Sequence, residues 1–146
     1  MEHMEILHMF ATDEQRTQWL QPLLDGEIRS AFSMTEPAVA NSDARNIETT
    51  ITRDGGDYVI NGRKWWTSGA ADPPCKILIV MGRTNPDAAA YEQQSMVLEP
   101  MATPGVTIVR STPVFGCQDQ HGHSEVTRAL ARIAVEGVGS GRPGRE

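Results

Sequence analysis

Ala31-Phe32-Ser33-Met34-Thr35-Glu36-Pro37 marks the point where the sequence changes from helical to extended patterning. Before it, in residues 1–27, apolar side chains recur at helical spacing, whereas after it short apolar runs alternate with turn-forming residues. A polar and aromatic stretch, Asn61-Gly62-Arg63-Lys64-Trp65-Trp66-Thr67-Ser68-Gly69, follows further along the chain. We call residues 31–37 the threonine segment and residues 61–69 the tryptophan segment, and we expect the fold to be organised around them.

Residues 1–27 predict one or two helices. Thr12 followed by Gln15 has the spacing of a capping box, in which each side chain binds the other residue's backbone N–H. Pro22 should interrupt or restart the second helix because it lacks an amide donor, and Gly26 is a natural stop. The predicted apolar faces consist of Ile6, Leu7 and Phe10 and of Trp19, Leu20, Leu23 and Leu24.

Residues 28–126 predict a β domain. The predicted strands are residues 47–52, 58–60, 76–81, 95–98 and 106–109. Asp54-Gly55-Gly56-Asp57 reads as a hairpin turn, and Asn61-Gly62 as a second turn. Strands of this length and spacing predict a mainly β fold, a small antiparallel barrel or sandwich preceded by one or two helices.

The C-terminal residues 127–146 have a different composition, in which arginines alternate with small residues and glycines crowd the end. Residues 129–138 could form a short helix or a strand. We interpret residues 127–146 as a divergent, disordered tail.

Composition excludes several classes of function. The 146 residues suffice for one domain, or one domain and a fragment of another, and the net charge of −6 without a basic run argues against nucleic acid binding. No apolar run approaches the roughly 18 residues that span a bilayer. The acidic N-terminus lacks a signal-peptide layout, and two cysteines without metal spacing indicate a reducing compartment.

Other chemical motifs are weak. His121 and His123 flank a glycine near Asp119, but no third ligand is in view, so we predict no metal site. Cys75 has no neighbouring histidine that would activate it as a nucleophile. The sequence lacks both the GxGxxG and the Walker pattern, so a dinucleotide would not bind by the Rossmann arrangement.

The residue types of the two segments leave alternatives open. Residues 32–42 alone favour a loop leading into the β domain, in which Thr35 and Ser42 satisfy local backbone donors, over a ligand site with free amides. In the tryptophan segment, adjacent rings of one strand should point to opposite faces, so one could line a groove. A planar ring beside hydroxyl groups suits a planar heteroaromatic ligand, but both rings could equally cap the core.

Taken together, the segments resemble the acyl-CoA dehydrogenases. Thr12-Asp13-Glu14-Gln15 and residues 19–27 resemble the end of that family's N-terminal helical domain. The threonine segment resembles its flavin-contacting strand, Asn41-Ser42-Asp43 its Gly-Ser-Asp turn, and Trp66-Thr67-Ser68 its Trp-Ile-Thr strand. The likeness continues through residues 57–64, 100–106 and 115–116, covers residues 1–126, and is closest to the subgroup with family members ten and eleven.

The resemblance implies a bound FAD and seven site residues. Thr35 would hydrogen-bond the flavin ring beside the backbone of two neighbours, Trp66 would pack against the ring, and Ser68 would donate toward its reactive nitrogen. Ser42 would lie near the pyrophosphate and the acyl-CoA substrate. The full cofactor-binding set that it implies is Phe32, Met34, Thr35, Ser42, Trp66, Thr67 and Ser68, with Ser42 also binding substrate.

The implied reaction is α,β-dehydrogenation of acyl-CoA thioesters, as in fatty-acid β-oxidation. The family's catalytic base lies in a C-terminal helical domain, so no acidic residue here takes that role, and we expect this chain alone to be an inactive fragment. A reading-frame change or a truncated gene would explain the departure from the family pattern after Val126. Alternatives are a non-catalytic flavin-binding remnant or a flavin oxidase on the same scaffold.

The resemblance also implies partners and a location. Full-length relatives form homo-oligomers and pass electrons to an electron-transferring flavoprotein or a similar acceptor. We expect a bacterial cytoplasmic protein, or a mitochondrial or peroxisomal one in a eukaryote.

Overall fold

The structure, a computed structural model, describes residues 2–112 and 123–134. Its helices are α1 (Glu2–Phe10), α2 (Asp13–Gln15) and α3 (Gln21–Leu24), with a π-helical turn at Arg16–Leu20 and a 3-10 turn at Ala44–Asn46. Its strands are β1 (Arg29–Ser33), β2 (Thr50–Asp54), β3 (Asp57–Ser68), β4 (Cys75–Arg83), β5 (Gln94–Pro100), β6 (Val106–Thr112) and β7 (His123–Ala134). The predicted mainly β fold preceded by helices is confirmed.

The helical unit follows the signals in its sequence. The Gln15 amide donates to the Thr12 hydroxyl over 3.3 Å, and the Thr12 amide donates to the Gln15 side chain over 3.1 Å, so the capping box is confirmed. Pro22 lies in the first turn of α3, where a missing N–H leaves no hydrogen bond broken. Gly26 ends the helix with a φ of +74°. Leu24 is 58% exposed, so its predicted place on the buried face is wrong.

The described strands form one sheet in the order β1-β4-β2-β3-β7-β6, and β5, outside this order, also pairs with β4. β4 runs parallel to both β1 and β2, while the remaining pairs are antiparallel. The sheet is therefore mixed and not wholly antiparallel as predicted. Parallel pairing of β1 with β4 is possible because a long connection, which contains the β2–β3 hairpin, separates them.

The core lies along the central strands. Ile51, Ile60, Leu78 and Val80 are buried together, and Val126 of β7 joins them. A second cluster of Leu7, Leu20 and Leu23 packs the helices. In β4, residues 77–80 are all buried, which agrees with the continuous apolar run predicted as a buried strand.

The predicted turn at Asn61-Gly62 is wrong, because β3 runs unbroken from Asp57 to Ser68. Gly62 serves close packing instead. A Cβ atom at this position would lie 2.1 Å from the Thr49 hydroxyl oxygen, nearer than two such atoms can approach. The hairpin turn at residues 54–57 is confirmed, with Asp54 paired to Asp57.

The C-terminal boundary also differs from the prediction. β7 runs to Ala134 and pairs with both β3 and β6, so residues 127–134 belong to the sheet and not to a disordered tail. Pairing with β3 as far as Ala134, and with β6 at Thr127 and Arg128, orders a stretch whose composition alone gives little β signal. Residues 113–122, which include Phe115-Gly116 and His121, and residues 135–146 lie outside the described part.

Candidate functional site

The fold brings the threonine and tryptophan segments into direct contact. The Thr35 hydroxyl donates to the Trp65 carbonyl over 2.6 Å, and the Trp65 amide donates back to the Thr35 carbonyl over 3.0 Å. This reciprocal pair links residues 30 positions apart in the chain. The threonine segment is therefore fixed beside the end of β3, and its reading as a loop with only local backbone contacts does not hold.

A β-bulge sets the direction of the side chains at this end of β3. Lys64 pairs with Val126 and Thr67 pairs with Ser124, so two residues of β3 lie opposite one residue of β7. Because one extra residue reverses the alternation of a strand, both Lys64 and Thr67 point inward and are fully buried. Trp66 and Ser68 consequently lie on the exposed side.

Trp66 has an unusual backbone at the bulge. Its φ of +53° is the one positive φ among the described non-glycine residues. A bulky side chain rarely adopts this conformation, which costs on the order of 1–3 kcal/mol. The ring is 40% exposed and meets the Trp65 ring edge-on, with centroids 5.8 Å apart. Neither tryptophan is buried, which removes the alternative that both cap the core.

The threonine segment alternates in the same manner. Ala31 and Ser33 are fully buried, while Phe32 and Met34 are half-buried on the other side of the strand. The Ser33 hydroxyl donates to the Thr67 hydroxyl over 3.4 Å, which fixes the inward sides of the two strands against each other.

The seven predicted residues do not all lie together. Thr35 is joined to the tryptophan segment, and the outward residues Phe32, Met34, Trp66 and Ser68 lie on the two strand ends linked in this way. The Thr67 side chain is buried behind them and faces Ser33. Ser42 lies apart, in an exposed turn that follows the segment.

A buried ion pair beneath these residues was not predicted. The Lys64 ammonium is 2.7 Å from the Glu36 carboxylate, and both side chains are almost fully buried. The carboxylate also accepts hydrogen bonds from the Thr49 amide over 2.9 Å and the Glu48 amide over 2.8 Å. Burial raises the pKa of Glu36, but the hydrogen bonds from Lys64 and the amides outweigh it, and the pKa is lowered overall.

The sequence did contain a signal for this pair. Ile60, Gly62 and Lys64 alternate along β3, so a buried Ile60 implies an inward Lys64. Such a lysine requires a buried partner. Glu36 is the one acidic residue in either segment.

A cleft of about 500 Å³ lies beside Glu36. None of the seven predicted residues lines it. Its walls are formed by Glu36, Pro37, Ala38, Glu48, Thr49, Thr50, Asn61, Gly62 and Arg63. The cleft and the exposed Trp66 face are thus separate features of the surface.

Other candidate chemistry is weaker. Burial raises the pKa of the Cys75 thiol to about 11, so it is protonated and unreactive at neutral pH. Within residues 2–112 and 123–134, no three histidine, cysteine or acidic side chains are grouped as metal ligands would be. The helices in that same part are all too short or too polar to cross a membrane.

Comparison with curated proteins shows close relatives. The chain is 84% identical over 131 residues to a Mycobacterium tuberculosis protein named as a probable acyl-CoA dehydrogenase, FadE2. That match covers 90% of this chain and 32% of the relative. The chain is also 53% identical to mouse acyl-CoA dehydrogenase family member 10, over 98% of this chain and 13% of the relative. The chain thus spans a third or less of these proteins.

Solved structures share the fold. A Mycobacterium abscessus protein assigned to the acyl-CoA dehydrogenases superposes with a TM-score of 0.89 at 48% identity, over 91% of this chain and 33% of its own. A Mycobacterium smegmatis glutaryl-CoA dehydrogenase, solved in complex with FADH2, superposes with a TM-score of 0.72 at 25% identity, over 90% of this chain and 32% of its own.

A family profile assigns the domain directly. The family described as acyl-CoA dehydrogenase, middle domain, matches residues 31–128, which contain both segments and strands β2 to β6. The match spans most of the chain and agrees with the fold and with the named relatives. The chain therefore belongs to the acyl-CoA dehydrogenase family.

Proposed function

We propose that this chain is the flavin-binding part of an FAD-dependent acyl-CoA dehydrogenase of the fatty-acid β-oxidation type. The observation that carries the proposal is the bulge of β3, which holds the Trp66 ring outward while the adjacent Trp65 backbone is tied to Thr35. A strained aromatic side chain held out of the core suits a partner that lies outside the sheet.

The residues fit an isoalloxazine ring. The exposed Trp66 ring offers a planar apolar surface, on which a flat heteroaromatic group gains stacking energy of about 0.5–1.5 kcal/mol. The proton of the Thr35 hydroxyl is used in the bond to Trp65, so its oxygen remains an acceptor for the single N–H group of an oxidised flavin ring. Ser68, exposed on the same strand end, can donate to a ring acceptor.

We assign the remaining predicted residues secondary roles. Phe32 and Met34 supply apolar surface beside the ring, and Thr67 supports the strand from inside through its bond with Ser33. Ser42 is proposed to lie toward the pyrophosphate and the acyl-CoA, since it follows the threonine segment in an exposed turn.

The proposed reaction removes an α proton and a β hydride from the acyl-CoA, which leaves a Cα–Cβ double bond. FAD, when bound, would supply the hydride acceptor. This chain orients the ring, while Glu36 is not the base because its carboxylate accepts hydrogen bonds from a lysine and two amides. We propose that the base, the homo-oligomeric contacts and the site for an electron-transferring flavoprotein belong to the longer protein.

We propose a location in the cell from the relatives. High identity to a Mycobacterium tuberculosis protein favours the bacterial cytoplasm over an organelle.

The visible spectrum of the folded chain with FAD tests the proposal. We expect the flavin band to shift and sharpen on binding, and to shift again when an acyl-CoA is added, whereas free coenzyme A should have a smaller effect. A Ser42→Ala variant should weaken the acyl-CoA response and also lower the affinity for FAD, because we propose that Ser42 lies toward both the pyrophosphate and the acyl-CoA. A folded chain that leaves the FAD spectrum unchanged would contradict the proposal.

A further inference from the structure

The Lys64 ammonium binds two residues of the threonine segment from a fully buried position. Its ammonium donates to the Met34 carbonyl over 2.9 Å and to the Glu36 carboxylate over 2.7 Å. These partners are the residues on either side of Thr35. One cation from β3 therefore holds both flanks of the residue that we place against the flavin.

Thr35 itself is held by Trp65, the residue that follows Lys64 in β3. The Trp65 carbonyl accepts a hydrogen bond from the Thr35 hydroxyl, and the Trp65 amide donates one to the Thr35 carbonyl. Three consecutive residues of the threonine segment are thus bound by two consecutive residues of β3. The Glu36 carboxylate extends this arrangement to the backbone at Glu48 and Thr49.

Stability alone does not account for such a pair. Removing two charges from water costs several kcal/mol per ion, so a buried ion pair is often no more stable than packed apolar side chains of similar size. Directional contacts to one carbonyl and one carboxylate do, however, fix the geometry of a segment more closely than apolar packing does.

We propose that Lys64 is a positioning residue for the flavin, which fixes the Met34 carbonyl and the Glu36 carboxylate so that the Thr35 hydroxyl faces the ring in one orientation. The inference rests on the proposed function, because it assumes that the ligand at Trp66 is FAD. It adds a role for a residue that touches neither cofactor nor substrate.

Two single substitutions separate positioning from stability. Lys64→Met and Glu36→Gln both break the ion pair, but only Lys64→Met removes the hydrogen bond to the Met34 carbonyl. We expect Lys64→Met to raise the FAD dissociation constant about tenfold, the worth of one charged hydrogen bond, and Glu36→Gln to raise it by less than about threefold. Flavin fluorescence titration measures both, with trimethylamine N-oxide added to keep either variant folded.

Amide hydrogen exchange gives a readout that needs no FAD. In Lys64→Met the Trp65 amide, which donates to the Thr35 carbonyl, should exchange faster than the amides of β4 do, whereas in Glu36→Gln it should exchange no faster than the amides of β4. The matched control is Arg29→Gln with Asp72→Asn, which removes the pair between Arg29 and the buried carboxylate of Asp72 and should leave FAD affinity unchanged.

The outcomes are distinct. Equal losses of FAD affinity in Lys64→Met and Glu36→Gln, in proportion to their losses of stability, would show a structural role and overturn the inference while leaving the proposed function intact. A wild-type chain that does not bind FAD would contradict the proposed function, and Trp65 exchange then decides separately whether Lys64 orders Thr35.

Discussion

Trp66 is held on the exposed side of the sheet by a left-handed backbone conformation, which is unfavourable for a large side chain. The sequence predicted that adjacent rings of a regular strand point to opposite faces and left open that both cap the core, but it did not show the bulge. A bulge leaves little trace in a single sequence, because it depends on how the partner strand β7 pairs on either side of it. The outward ring was therefore predictable as one alternative, and its left-handed backbone was not.

The backbone of Trp66 can be tested apart from its ring. Trp66→Gly should be more stable than Trp66→Ala by about 1 kcal/mol, because only glycine adopts a φ of +53° without strain. At Trp65, whose φ is ordinary, the order should reverse, since glycine in a strand costs roughly 0.5–1 kcal/mol relative to alanine. Urea unfolding of the four variants measures both differences, and the same order at both positions would contradict the bulge geometry.

The Glu36 carboxylate should make stability depend on acid pH. Its pKa is lowered from 4.5, so its contribution is complete at neutral pH and is lost as the pH falls below that value. At pH 7 we expect Glu36→Gln to lose about 3–5 kcal/mol of unfolding free energy, because the substitution leaves a buried lysine without its counter-ion. The gap between wild type and variant should narrow toward pH 3, and a constant gap would show that Glu36 is not ionised in the fold.

Among the signals for secondary-structure elements, glycine was the least reliable, because it predicted a turn both where one forms and where a strand continues. Gly55, with a φ of +63°, lies in a true hairpin turn, but Gly62 lies inside β3 against the Thr49 side chain. Gly55 follows Asp54 and Gly62 follows Asn61, and both pairs are common in turns, so the local sequence could not distinguish them. Only the packing of residue 49 on the strand separates the two cases.

Gly62→Ala should therefore be strongly destabilising. The new methyl group would lie 2.1 Å from the Thr49 hydroxyl oxygen. Thr49 is buried and cannot move aside, so β3 would have to shift by a large fraction of an ångström. We expect a loss of about 2–3 kcal/mol, typical of overpacking. Gly56→Ala is the matched control, since nothing lies within 4 Å of its added carbon and its φ is not positive. Thermal unfolding that shifts equally for both variants would contradict this packing.

Element pairing was predictable only in part. Antiparallel neighbours joined by a short turn, such as β2 and β3, follow from turn residues and apolar runs. The parallel pairing of β1 with β4 joins residues far apart in the chain, so no local pattern reports it. The same reason explains β7, whose order comes from pairing with both β3 and β6.

For the whole molecule, the family assignment came from several motifs in order, while the chemistry of any one motif was ambiguous. The threonine segment by itself indicated a loop, and its meaning changed only when the tryptophan segment was considered with it. The structure explains this, because each segment supplies one partner of the Thr35–Trp65 contact and neither forms the site alone.

We expect the chain alone to bind flavin without turning over acyl-CoA. Glu36, the one acidic residue of the two segments, is bound by Lys64 and two amides and cannot serve as the base. Steady-state assays with an artificial electron acceptor should show no reduction above the rate with free FAD. Turnover that survives in Lys64→Met and Glu36→Gln alike would place a base elsewhere in this chain.

The most direct test of the central claim is FAD quenching of tryptophan fluorescence in single-ring variants. We expect saturable quenching in the wild type and in Trp65→Phe, and weaker quenching in Trp66→Phe, because we propose that the Trp66 ring stacks on the flavin. Loss of the Trp66 contact in Trp66→Ala should also raise the FAD dissociation constant about threefold to tenfold. Equal quenching in Trp65→Phe and Trp66→Phe, or no saturable quenching in the folded wild type, would contradict the claim that Thr35 and Trp66 form a flavin site.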